Sequence, residues 1–117
     1  MDIEQIRRFC LGLPVVTEDV KWEHDLVFSI GGKMFCVTSL EPPLRFSFKV
    51  KDDEFDELSN REGFMPAPYM ARAKWVSVTD PAKLNKKERE EYIRQSYEQV
   101  KAKLTKKSRD ELGIGGI

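Results

Sequence analysis

The chain has 117 residues, 34 % of them charged and 40 % hydrophobic, with 20 Lys+Arg balancing 20 Asp+Glu. That length suits one domain burying roughly two-thirds of its unfolded surface; the composition argues against disorder, and no apolar run nears the ~20 residues of a membrane span. Zero net charge excludes a general polyanion sponge, although residues 1–82 hold ten Lys/Arg against fourteen Asp/Glu and residues 83–109 ten against four.

In chain order, MDIEQIRRFC begins a helix rather than a signal peptide, because acids interrupt it and the periodicity continues. The expected location is cytoplasmic. Asp2 can cap this helix, with Gln5 at the capping-box position, and Ile3, Ile6, Cys10 and Leu13 share one face. Gly12 and Pro14 stop it. Val16 to Trp22 reads as a strand, Glu23-His24-Asp25 as a turn, and Leu26, Phe28 and Ile30 as the apolar side of a second strand. Gly31-Gly32 is a two-residue hairpin signal into a strand from Lys33 to Leu40, which Glu41-Pro42-Pro43 breaks. Leu44, Phe46, Phe48 and Val50 then alternate with Arg45, Ser47 and Lys49, the clearest strand of the chain.

Asp52 and Asp53 open a second helix with Phe55 and Leu58 inward, ended by Gly63. Two prolines, Pro66 and Pro68, stiffen the next segment, after which Val76 and Val78 alternate with Trp75, Ser77 and Thr79 as a strand. Asn85, with Glu88 three positions on, begins the longest helix, whose stripe is Ile93, Tyr97, Val100 and Leu104. The order α-β-β-β-β-α-β-α contains no βαβ alternation. It predicts a two-layer α+β sandwich: a mostly antiparallel sheet with helices packed on one face and the other face at least partly open. One domain over residues 1–112 and a flexible tail over 113–117 are expected.

Chemistry is sparse. Cys10 and Cys36 have neither CxxC nor zinc spacing, so two buried thiols are expected over a disulfide. One histidine excludes a multi-histidine metal centre, and any nucleophile–histidine device would have to use His24, around which no motif stands. No catalytic, cofactor-binding or metal-binding set is expected, and no enzyme activity. His24 reads as a pH-sensitive contact, a one-off acid/base or a solvated turn residue. The acids at 52–57 read as a weak hard-cation site or a solvated helix start. The run Lys101, Lys103, Lys106, Lys107 and Arg109 suits phosphates or the end of a helix dipole.

Two features stand out. Trp75 shares the polar sheet face with Arg45, Ser47 and Lys49, where it can stack on a base or apolar ligand, or simply cover the sheet under basic stems. The stretch GFMPAPYMARAKWVSV either presents Tyr69 and Arg72 from a stiff loop or folds Tyr69 and Met70 back onto the core.

KWEHDLVFSIGGKMFCV, FSFKV, FDELSNREGFMPAPYMARAKWVSV and SYEQVKAKL together resemble the MmcQ/YjbR family of small bacterial proteins, over about residues 2–107. GGKMF and PAPYMARAKWV are the most specific parts. The resemblance implies a CyaY-like (frataxin-like) α+β fold and DNA binding through a double-wing arrangement of hairpins and loops around a duplex, with no established catalytic set. It implies a family-like surface of Lys33, Phe35, Lys49, Pro66, Pro68, Tyr69, Arg72 and Trp75. Frataxin-type iron binding is not carried over, since the acids at 52–57 are fewer and differently placed.

Two functions follow as expectations. The first is DNA binding, with phosphate contacts from Lys33, Arg45, Lys49, Arg72, Lys74 and the C-terminal lysines, and with Tyr69 or Trp75 as a wedge. The second is a protein- or small-ligand-binding groove formed by the open sheet face and the PAPY loop, anchored by Trp75. A monomer with no membrane partner is expected in either case.

Overall fold

The computed structural model describes residues 2–113. Helix α1 (Ile3–Leu11) begins with the capping box anticipated from its sequence: Asp2 Oδ1 accepts from Gln5 N at 3.0 Å and Gln5 Oε1 from Asp2 N at 3.1 Å. Four strands follow as a meander, β1 (Thr17–Lys21), β2 (Asp25–Ile30), β3 (Lys33–Ser39) and β4 (Phe46–Lys49). The chain leaves the sheet as α2 (Asp52–Ser59), pairs at the far edge as β5 (Phe64–Pro66), and returns as β6 (Trp75–Val78) between β4 and β5. The sheet order is β1-β2-β3-β4-β6-β5 and every pair is antiparallel. Helices α3 (Lys86–Ala102) and α4 (Lys106–Glu111) complete the α+β architecture.

Several boundaries differ from the sequence reading. The proline segment begins as strand β5, which is compatible with Pro66 because an edge strand need not donate on both sides. Helix α2 stops at Ser59, with Asn60 as its C-cap. Gly63 instead turns the chain into β5 at φ 86°, where a Cβ would lie 2.6 Å from Lys83 Cγ, so both conformation and space demand glycine. The lysine-rich C-terminal run is not one helix end: Thr105 caps a new helix, α4, through Ser108 N at 3.0 Å. The expected tail beyond Gly113, residues 114–117, lies outside the described residues.

Register explains the two faces. Phe28, Cys36, Phe48 and Val76 form one row across the sheet, and Leu26, Thr38, Phe46, Val78 and Phe64 the next, all buried. These rows meet Ile6 and Cys10 of α1, Leu58 of α2, and Ile93, Tyr97 and Val100 of α3 in one core. Tyr97 packs edge-on against Phe35 at 5.4 Å, and its hydroxyl donates to Pro14 O at 2.8 Å.

A bulge sets Phe35 and Cys36 side by side inward, because Phe28 pairs with Cys36 while Ser29 pairs with Met34. The Phe35 carbonyl, which the bulge removes from the ladder, accepts from Ser96 Oγ at 2.6 Å, and Ser96 Oγ in turn accepts from Lys49 N at 2.9 Å.

Cys10 and Cys36 are free thiols facing each other in the core. Hydrogen bonding with Cys36, followed by burial, pushes the Cys10 thiol up. Since the thiolate is the reactive species, neither cysteine should react with Ellman's reagent at pH 8 in the native protein, whereas both should react once denaturant unfolds it. Rapid labelling of the native chain would contradict this packing.

Candidate functional site

The face of the sheet away from the helices carries Ser29, Val37, Ser47, Lys49, Trp75 and Ser77, as alternation with the core rows requires. It is not uniformly open. At the β6 end the segment after β5 closes back on the sheet: Trp75 N donates to Met70 O at 3.2 Å, and its carbonyl accepts from Ala67 N at 3.0 Å. Trp75 is consequently 4 % exposed and Ala67 2 %, and both lie outside the main core cluster. They make a small second core on the outer face.

Beside it lies a groove of about 610 Å³. Val37, Met34, Ser47 and Ser77 lie along it, with Asp25, Ser39 and Arg45 supplying further polar groups. One wall is Ala67 to Met70, and the other includes Trp22 from the turn between β1 and β2. Trp22 is 60 % exposed and Tyr69 fully so. Both hold left-handed backbone, φ 53° and 65°, a conformation that costs an ordinary L-residue about 1–2 kcal/mol. Such backbone is found at tight turns and at ligand clamps alike. Ser47 and Ser77 face each other across the β4–β6 pair, so two hydroxyls sit together among the lining groups.

Of the residues singled out from the sequence, Arg45, Pro68 and Tyr69 line this groove. The others do not. Lys33 is exposed at the start of β3 just after the glycine turn, Pro66 belongs to β5, and Arg72 is exposed on a 3-10 turn over Ala71–Ala73. Lys49 donates from Nζ to Ala73 O at 2.6 Å. Burial pushes its ammonium down, the charge of Lys103 adds to the shift, Asp52 opposes it, and Lys74 lowers it further. Lys74 lies with Nζ 5.0 Å from the centre of the Phe55 ring.

Two expectations are corrected and one open alternative is decided. Trp75 covers the sheet and is not the groove's anchor. Phe35, part of the family-like surface, is a fully buried core residue turned inward by the bulge. Tyr69 does not fold back onto the core, whereas Met70 is half-buried and lines the groove.

Trp22 is the functional candidate that sequence reasoning passed over. It stood at the end of a strand pattern, and its neighbour Glu23 joins it in left-handed backbone, φ 64°, to make the turn. The signal available was an aromatic residue next to the polar cluster Glu23-His24-Asp25. Met34 and Val37, three positions apart, would fall on opposite faces by strict alternation, and the bulge between them puts both outward. The acids of α2 do not assemble a metal site: among the described residues no three His, Cys, Asp or Glu side chains gather to hold a metal ion. No helix among the described residues is long and apolar enough to cross a membrane.

The architecture has counterparts among solved structures. The chain superposes on Deinococcus radiodurans protein DR2400, assigned to the DUF419 domain, with a TM-score of 0.85 and 30 % identity, covering 96 % of this chain and 88 % of that one. A Pseudomonas syringae protein shares the fold, with a TM-score of 0.70 at 19 % identity, covering 86 % and 99 % of the two chains. No curated protein matches. The family model described as YjbR matches residues 11–99, a span that includes the meander, the proline segment and most of α3. The chain belongs to the YjbR family.

Proposed function

We propose that this protein is a binding module whose ligand seats on the outer sheet face, in the groove between Trp22 and Tyr69. The observation that carries this reading is the pair of exposed aromatic side chains, both in left-handed backbone, flanking a groove with apolar, hydroxyl and charged lining groups. Such a lining suits a flat, largely apolar body bearing a few polar groups, one of them anionic to meet Arg45. Buried Trp75 holds the Tyr69 wall in place.

The test uses 8-anilinonaphthalene-1-sulfonate, a flat apolar fluorophore with one anionic group. Saturable binding is expected, with affinity lowered roughly fivefold by Tyr69→Ala or by Trp22→Ala, the scale of one aromatic contact. Binding that both variants leave unaltered would place the dye elsewhere and remove the groove from the proposal.

DNA binding is the second reading, favoured by one observation: Lys33, Arg45 and Arg72 are exposed and make no ion pair among the described residues. With about four phosphates contacted, log K should fall by roughly 3.6 per tenfold rise in salt. Anisotropy of labelled duplex and single-stranded DNA at 50 and 200 mM salt separates the readings. Steeply salt-dependent binding lost in Arg72→Ala supports DNA, and flat curves at 50 mM leave the groove ligand alone.

A further inference from the structure

A second cleft, of about 660 Å³, shares no lining residue with the groove. It lies where α1 and α3 approach the loops at one end of the sheet, between Pro43-Leu44, the Thr79–Leu84 segment, Gln5, Lys86 and Arg89. Arg89 is the unexpected member. It continues the inward stripe of α3 one turn before Ile93 and is only 4 % exposed, the one buried charged residue among those described.

Its guanidinium has no partner among the described residues. Nε is buried without an acceptor, and the group takes part in no side-chain hydrogen bond or ion pair among the described residues. The carboxylates nearest in sequence are committed elsewhere: Glu88 to Arg61 at 3.0 Å, and Glu90, more loosely, to Lys86 at 4.0 Å. Asp80 lines the same cleft, and its Oδ1 accepts from Ala82 N at 3.2 Å. Arg61 makes the contrast plain, since it reaches Glu88, the Lys83 carbonyl and the Phe64 ring at once. A buried cation with no counter-charge is among the most costly arrangements in a fold. A guanidinium cannot escape by losing its proton, and its planar fork matches an oxyanion.

We infer that the cleft is a binding site for a small oxyanion, a carboxylate or phosphate group held by Arg89 with Lys86 at the rim. Other donors are at hand. Gln5 Oε1 is used by the cap of α1, which leaves its amide NH2 available, and Thr79 contributes a hydroxyl. Pro43, Leu44, Pro81, Ala82 and Leu84 supply apolar walls for whatever carries the anion. The inference is independent of the groove reading, and neither stands or falls with the other.

The test is thermal melting of the wild type, Arg89→Met and Lys86→Ala with inorganic phosphate or acetate added at constant ionic strength. A tenfold excess over Kd should raise the wild-type melting temperature by roughly 5 °C, saturably. Arg89→Met should lose the response, and Lys86→Ala should need several-fold more anion. A response to phosphate alone, or to acetate alone, identifies which source of the oxyanion the cleft takes. No shift with either anion up to about 20 mM, or an equal shift in Arg89→Met, overturns the inference. Should Arg89→Met fail to fold, the Arg89 Nε–Hε resonance of the wild type decides: it moves saturably with the anion, or it stays and the site is excluded.

Discussion

Trp75→Ala is expected to destabilise the protein by about 3–5 kcal/mol, the usual range for emptying a buried large aromatic site. The indole is 4 % exposed, and its backbone is hydrogen-bonded to both Ala67 and Met70. Removing it empties the small second core and unseats the wall that carries Tyr69, so stability and groove binding should fall together. Trp75→Phe restores much of the volume and should bind the fluorophore as the wild type does. Urea denaturation beside dye titration makes the comparison. If Trp75→Phe kept full stability yet lost the dye, the indole would be a ligand contact and its assignment as scaffold would be wrong.

Ser96→Ala should cost about 2–3 kcal/mol, far more than a surface serine, because one hydroxyl serves two buried backbone groups. Ser96 Oγ donates to Phe35 O and accepts from Lys49 N, joining the bulge of β3 and the end of β4 to α3. Alanine fills nearly the same space, so the loss reports unpaired polar groups rather than a cavity. The midpoint of urea unfolding should drop with its slope unchanged. A loss below about 0.5 kcal/mol would mean that water reaches both groups, and that the hydroxyl is not what ties helix to sheet.

The elements were legible where one local rule acted alone. The capping pairs Asp2–Gln5 and Asn85–Glu88 form as their spacing indicates. Alternation along Leu26–Ile30 and Phe46–Phe48 placed the inward side chains, and the stripe Ile93, Tyr97, Val100 and Leu104 is buried throughout. Reading failed where local rules compete. Prolines in residues 63–78 argued for a loop, yet Phe64–Pro66 pairs with β6, because a partner strand lies beside it in the folded chain. The lysine run concealed the Thr105 cap, since helix propensity is continuous across the break at 103–105.

Less of the candidate site could be read. Arg45, Pro68 and Tyr69 line the groove, while Trp22 joins them from a turn more than forty residues before Pro68 and Tyr69, and only strand order brings the two sides together. Alternation assigns Trp75 to the outer face but cannot say whether a later segment will cover it. Arg89 shows the same limit, for its place on an apolar stripe is visible in the heptad-like spacing, whereas the absence of a counter-charge is a fact about every neighbouring element at once.

By itself, the sequence determined the starts of α1, α2 and α3, the hairpin turn at Gly31-Gly32, the inward residues of β2 and β4 and the α+β class, because each depends on residues a few positions apart. Only the tertiary structure decided which outward residues stay exposed, which cations find partners and where concave surfaces form. Those properties depend on distances between segments remote in the chain, which are set when the core closes and not before.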